Sequence, residues 1–194
     1  AISAFRRMLE NFGLRVIRER PYEIAWPEGG AAWIQDFELE HRDGARIDIA
    51  RIEAIFREAF LAAWRGEIDN DGFNRLVIPT GLTAREIVVL RAYCRYLLQT
   101  GVPFSQAYME RTLAANAAIA KNLVRLFEAQ FDPAAKRSDS RSEKLSEAIR
   151  NGLDAVTSLD EDRILRAYWK VIQATLRTNF YQPDAAGSAK PYIS

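Results

Sequence analysis

Trp33-Ile34-Gln35-Asp36-Phe37-Glu38-Leu39-Glu40 decides the fold of the first third of the chain. Trp33, Phe37 and Leu39 share one face of an extended segment, and Ile34 lies opposite them among Asp36, Glu38 and Glu40. That alternation belongs to a strand with one buried face. Upstream, Leu14 and Val16 alternate with polar residues, Pro21 interrupts, and Tyr22, Ile24 and Trp26 resume the alternation. A strand with an edge-type kink at Pro21 is expected, because proline cannot donate to a ladder. Pro27-Glu28-Gly29-Gly30 reads as the turn between the two strands. Further out, Phe5, Met8, Leu9 and Phe12 recur at helical spacing in a helix under way by Ser3, with Gly13 as its stop. Beyond the second strand Asp43-Gly44 is a turn. Asp48 caps a helix striped by Ile52, Ile55, Phe56, Ala59, Phe60 and Ala63. The order helix, strand, strand, helix is the middle of a βαββαβ unit without its first strand.

From Asp69 onward the pattern is helical. Thr83 with Glu86 forms a capping box for a helix running through Ile87, Leu90, Cys94, Leu97 and Leu98 to Gly101 and Pro103. Ser105 opens the next helix, and Ile119, Leu123, Leu126 and Phe127 carry the pattern on to Asp132-Pro133. Residues 134–142 are polar and read as a linker. Leu145, Ile149, Leu153 and Val156 line a further helix. Ser158 and Glu161 make a second capping box, before a stripe of Ile164, Tyr168, Ile172 and Leu176. Pro79 argues against a continuous helix near Leu76-Val77-Ile78, and the sequence leaves that short run open between helix and strand. The fold class is α+β, mainly α: an αββα unit over 1–68, a helical domain over 69–180 and a connecting segment over 181–194. Ala1 is not a start methionine, and an extended segment is just beginning at Lys190-Pro191-Tyr192, so the chain reads as a piece of a longer protein.

Composition narrows the function classes. Among 194 residues, 27 Lys and Arg nearly balance 26 Asp and Glu, so no net field gathers a polyanion. Cys94 is the single cysteine, which excludes an internal disulfide and suits a reducing compartment. No run approaches the roughly 18 apolar residues of a membrane helix, and no basic-then-apolar signal opens the chain. A cytoplasmic protein without membrane partners is expected.

Several motifs invite a functional reading and fail on chemistry. Glu67-Ile68-Asp69-Asn70-Asp71-Gly72 begins like a calcium loop, with oxygen ligands at alternate positions and a glycine at the sixth. Its ninth position is Arg75 and its twelfth is Ile78, so the closing bidentate carboxylate is missing. An acidic turn capping a helix near Phe73 is the expectation. His41 is the single histidine and lacks companion ligands at metal spacing. Cys94 has apolar neighbours at helical spacing and reads as core. Gly29-Gly30 lacks the spacing that cradles phosphate, and no dinucleotide fingerprint occurs anywhere. Arg91, Tyr93, Arg95 and Tyr96, like Arg163, Arg166, Tyr168, Trp169 and Lys170, mix bases with aromatics as a nucleic-acid groove does. On a helical projection the bases fall mostly opposite the apolar stripe, so solvated faces beside core aromatics are expected and nucleic acid is not. No catalytic, cofactor-binding or metal-binding residue is assigned.

Stretches spread along the chain carry a family resemblance. They are Leu9-Glu10-Asn11-Phe12-Gly13-Leu14-Arg15-Val16-Ile17, Ala59-Phe60-Leu61-Ala62-Ala63-Trp64-Arg65-Gly66 and Asn70-Asp71-Gly72-Phe73-Asn74-Arg75-Leu76. Leu90-Arg91-Ala92-Tyr93 with Tyr96-Leu97, Phe104-Ser105-Gln106-Ala107-Tyr108 and Leu126-Phe127-Glu128-Ala129-Gln130-Phe131-Asp132-Pro133 follow. Ser158-Leu159-Asp160-Glu161-Asp162-Arg163-Ile164-Leu165 and Thr175-Leu176-Arg177-Thr178-Asn179-Phe180-Tyr181-Gln182 complete the set. Together they resemble the large NAD-specific glutamate dehydrogenases of bacteria, in the region upstream of the catalytic domain; Ile78-Pro79-Thr80 departs from the family pattern. The resemblance implies that the αββα unit is a partial ACT-like fold and the rest a helical bundle. It implies a parent oxidoreductase that deaminates glutamate to 2-oxoglutarate with NAD, as a homo-oligomer. This segment would be regulatory or structural, inactive alone and without cofactor, and its own catalytic domain would be its partner. A free-standing helical interaction module and an amino-acid-sensing ACT-like module stand as alternatives. Trp26, Trp33, Trp64 and Trp169 are candidate contact residues, the last two more readily core. Phe180 and Tyr181, just past a helix end, are the preferred interdomain contact.

Overall fold

Gly13 ends the first helix, α1 (Ile2–Asn11), at φ +79, a left-handed conformation that favours glycine. The chain then turns directly into β1 (Leu14–Ala25), which pairs antiparallel with β2 (Ala31–His41) in a two-stranded sheet. This computed structural model describes residues 2–26, 29–134, 139–190 and 192–194. Pro27 and Glu28 of the expected turn lie outside them. On either side of that turn, Trp26 N–H donates to Gly30 O and Gly29 N–H to Trp26 O, both at 3.1 Å.

The irregularity in β1 falls at Ile17 and not at Pro21. Pro21 pairs with Gln35 in unbroken register, whereas the register shifts between Val16 and Arg18. One extra residue reverses which side chains face the core. Leu14 and Val16 therefore lie on the core side opposite His41 and Leu39, Glu19 stands opposite Phe37, and Ile17 is left exposed. Phe37 stacks on Phe5 at 4.9 Å, and Phe5 meets Phe60 and Trp64 edge-on. The distal half of the ribbon runs past these helices. Tyr22, Ile24, Trp26, Trp33 and Ile34 are all exposed there, although Trp33 shares the face of Phe37.

Asp48 caps α2 (Ile49–Trp64), accepting from Arg51 N–H at 3.3 Å, and α2 buries Ile52, Ala59 and Ala63. A 3-10 helix (Gly72–Leu76) continues into α3 (Val77–Thr80), so Leu76-Val77-Ile78 is helical. The helix runs through Pro79, against the expectation drawn from that proline, and stops after Thr80 because Gly81 turns left-handed (φ +67). Thr83 and Glu86 complete both halves of the capping box of α4 (Ala84–Gln99). The run from Ser105 is two helices, α5 (Gln106–Ala115) and α6 (Ala117–Phe131). Asn116 breaks it, its side chain donating to Thr112 O at 2.9 Å and to Glu161 Oε2 at 3.3 Å. In the expected linker over 134–142, residues 135–138 are not described and α7 (Asp139–Asp154) already begins at Asp139. Ser158 caps α8 (Leu159–Ala174) through Glu161 N–H at 3.4 Å. Leu176 does not belong to the buried stripe of α8. The helix ends at Ala174, Thr175 turns to extended backbone (ψ 125), and Leu176 is 94% exposed.

One buried cluster joins the two regions. Met8, Phe12, Ala59 and Ala63 from the αββα unit pack in the same core as Leu90, Met109, Phe127, Ile149, Tyr168 and Ile172. A smaller cluster of Leu9, Leu14, Ile52 and Ile78 seats the ribbon on α3.

Candidate functional site

The calcium-like loop is closed by arginines. Asp71 accepts from Phe73 N–H at 3.2 Å, capping the 3-10 helix, and receives Arg91 through Nε and Nη2, both at 2.8 Å. Arg91 Nη2 also donates to Asn74 Oδ1 at 3.2 Å, while Asp69 pairs with Arg95 at 2.5 Å. Every acid that could begin a cation site thus holds a guanidinium. Arg91 is 4% exposed, so it belongs to the core and not to a solvated basic face. Such a bidentate pair satisfies a buried cation with a planar acceptor. Among the described residues no group of three or more His, Cys, Asp or Glu is placed to hold a metal.

The second polar constellation fastens the C-terminal segment. Arg85 on α4 donates from Nη2 to Phe180 O at 2.7 Å and from Nη1 to Lys190 O at 3.0 Å, with its guanidinium 4.2 Å above the Phe180 ring. Asn179 binds the returning end of the chain, its Oδ1 accepting from Ser194 N–H at 2.7 Å. Between those limbs Pro183 and Ala189 form an isolated bridge. Phe180 is buried, edge-on to Phe127 at 5.4 Å, and Tyr181 is half-buried and stacked on the same ring. The Phe180 ring is therefore occupied within the chain, while Tyr181 keeps an open edge. Burial, with Glu128, Asp132 and Glu86 nearby, pushes the Tyr181 phenol up to about 12.

Beneath this strap Arg125 Nη1 bridges Glu86 Oε1 and Glu128 Oε2, both at 2.6 Å. Burial works to raise both carboxyls. In Glu86 it is outweighed by hydrogen bonds from Thr83 and Glu128 and by Arg125, which hold it below the ordinary value. Glu128 stays raised, because the neighbouring Glu86 carboxylate adds to burial. Neither Arg85 nor the pair of Glu86 with Arg125 follows a local sequence pattern, because Arg85 meets the C-terminal segment and Arg125 joins Glu86 on α4 to Glu128 on its own helix.

The remaining singled-out residues stay apart. His41 is half-buried at the end of β2, its Nδ1 accepting from Asp43 N–H at 3.3 Å. Cys94 is fully buried, 3.6 Å from Met109 Sδ, and burial pushes its thiol up, away from a nucleophilic thiolate. Trp26, Trp33 and Trp64 are exposed and Trp169 is half-buried, so the expectation of a core Trp64 is not met. Its ring lies on Phe5 at the edge of the αββα unit.

An open cleft separates α4 from α8 and the strap. Its walls are Tyr93, Phe127, Val171, Thr175 and Ile193, and it holds about 360 Å³. Tyr93 Oη and Thr175 Oγ1 meet at 2.8 Å along it.

Three family models match successive parts of the chain: glutamate dehydrogenase, ACT3 domain over residues 1–52; glutamate dehydrogenase, helical motif 3 over 68–133; and bacterial NAD-glutamate dehydrogenase, catalytic domain over 148–194. Relatives named NAD-specific glutamate dehydrogenase align over nearly the whole chain. The one from Halomonas elongata is 45% identical over 187 residues, 96% of this chain and 12% of that protein. The Pseudomonas aeruginosa relative is 43% identical across 100% of the chain, and that of Mycobacterium tuberculosis 39% identical across 93%; 12% of each is covered. The αββα ribbon is thus ACT-like, and the end of α7, all of α8 and the strap lie in the part that matches the catalytic domain. The chain belongs to the bacterial NAD-specific glutamate dehydrogenases, over a stretch spanning 12% of the length of these relatives.

Proposed function

We propose that this chain is a non-catalytic structural and regulatory segment of a glutamate dehydrogenase that converts L-glutamate, NAD and water to 2-oxoglutarate, ammonia and NADH. The observation that carries this reading is the shared core. Helices matching helical motif 3 and helices matching the catalytic domain bury their side chains against one another, around Leu90, Phe127, Tyr168 and Ile172. A segment built this way holds domains in fixed relation. It influences catalysis only where its contacts differ between active and inactive states of the enzyme. We assign the ACT-like unit to residues 1–68 and the helical body to 69–180. Within the body the end of α7 and the whole of α8 are shared with the catalytic domain, and 181–194 lead onward. Phe180 and Tyr181 then act as an anchor, with Phe180 fixing the strap and the edge of Tyr181 facing the neighbouring domain. NAD and glutamate bind elsewhere in the enzyme, which works as a homo-oligomer. Among the described residues no helix is long and apolar enough to cross a membrane.

The test is glutamate-dependent NADH formation, followed at 340 nm, by the full-length protein that carries these residues. Turnover is expected; a purified, folded full-length protein inert toward glutamate and NAD would overturn the reading.

A further inference from the structure

We infer that the cleft between α4, α8 and the C-terminal strap is the seat of the part of the protein's own catalytic domain that lies outside residues 148–194. The inference rests on the family reading above and adds where the domain docks. Two neighbouring hollows form one groove, because Ala92, Tyr96 and Ile193 line both. Its inner end is apolar, walled by Tyr93, Phe127 and Val171. The outer end, about 500 Å³, is polar and presents Asp69, Arg95 and Gln99. Large apolar side chains stand exposed around it: Leu176 is 94% exposed, Tyr192 59% and Tyr96 52%. A cluster of large exposed apolar side chains beside a groove marks an interaction surface.

The occupant follows from where the groove lies. One wall belongs to helical motif 3 and the opposite wall, from Val171 to Ser194, to the segment matching the catalytic domain. Only 12% of the length of the curated relatives is matched, so most of a family protein lies outside this stretch. In such a protein the polypeptide after Ser194 leaves from the groove itself. A segment tethered there reaches an effective concentration in the millimolar range, which an independent partner must outcompete. The chemistry asked of the occupant is an apolar side chain for the Tyr93 and Phe127 end, followed by polar groups that meet Arg95 and Asp69.

Hydrogen exchange on the full-length enzyme and on the 194-residue chain tests this directly. Amides 175–178 and the last turn of α4 should exchange slower by about tenfold or more in the full-length enzyme. The double substitution Tyr96→Glu, Leu176→Glu should abolish that protection and reduce turnover, while leaving the melting temperature of the 194-residue chain unchanged because both side chains are exposed. Equal exchange in the two unsubstituted proteins, or protection that survives the double substitution, overturns the proposal. If sedimentation shows the 194-residue chain to be a dimer that the double substitution dissociates, a second copy fills the groove and the proposal is likewise wrong. An unsubstituted enzyme that is active but shows equal exchange defeats the docking alone; one with no glutamate-dependent turnover defeats the family reading as well.

Discussion

Arg91 is charged, lies in the middle of α4 and is only 4% exposed. Removing its charge strands Asp71, whose side chain is 17% exposed, without a counter-ion. Breaking a buried pair on one side costs about 3 kcal/mol, whereas an exposed pair contributes under about 1 kcal/mol. Urea unfolding should therefore show Arg91→Met losing about 3 kcal/mol and Arg95→Met, from the exposed pair with Asp69, much less. Equal losses would mean that the buried pair is not the stronger element. The acidic turn at Asp71 was legible, because an aspartate just ahead of a helical run offers its carboxylate to the first free amides. Its arginine was not, since helical periodicity assigns a face without saying which distant acid waits on it. Tyr181 makes a pH-dependent contribution. In the unfolded chain its phenol ionises near 10, but in the folded chain near 12. Between those values the unfolded state has released a proton that the folded state retains, so stability is full below pH 10 and falls as pH rises through the window. Tyr181→Phe should lose less stability than the unsubstituted chain between pH 9 and 11, measured by denaturant midpoints. Tyr93 and Tyr168, also raised by burial, supply the slope that remains in both. Identical slopes would show that Tyr181 titrates normally.

At the scale of elements, α6 and α7 approach closely because Gly152 has no side chain. A Cβ there would stand 2.8 Å from Ile119 Cγ1, and Ile119 is itself buried. Gly152→Ala gains about 1 kcal/mol of helix propensity and costs about 1–3 kcal/mol in overpacking, so the steric cost wins. The melting temperature should fall; a rise would mean that the two helices separate freely. Stripes and caps made most elements readable: Asp48, Thr83, Ser105 and Ser158 each cap the helix expected of them. Three features were hidden. The bulge at Ile17 depends on register with β2, and a strand's own alternation continues through it. Asn116 breaks α5 from α6 by hydrogen bonds to Thr112 and to Glu161 on α8, a contact made only in the folded chain. Leu176 fits the period of α8, but Thr175 ends the helix, its hydroxyl donating back to Val171 O at 2.8 Å and meeting Tyr93 Oη.

Over the whole molecule the αββα unit, the helical body and the strap are continuous through one core. That continuity was only partly legible. The division near Asp69 follows from the switch in periodicity, yet Phe12 and Ala59, read as the interior of the first unit, pack with the helical body. The candidate site was less legible still, because a clamp such as Arg85, with partners 95 and 105 residues away, has no local pattern. Phe180 and Tyr181 were singled out as a contact from their place after a helix end, and Phe180 turns out to face inward. The chain has a net charge of +1 and no phosphate-cradling glycine motif in its sequence. On the proposed function, these residues hold an NAD enzyme together and its cofactor binds elsewhere. Isothermal titration of NAD into the full-length enzyme and into the 194-residue chain, side by side, tests it most directly. Saturable heat is expected from the full-length enzyme and none from the folded chain; saturable NAD binding by the 194 residues alone would contradict it.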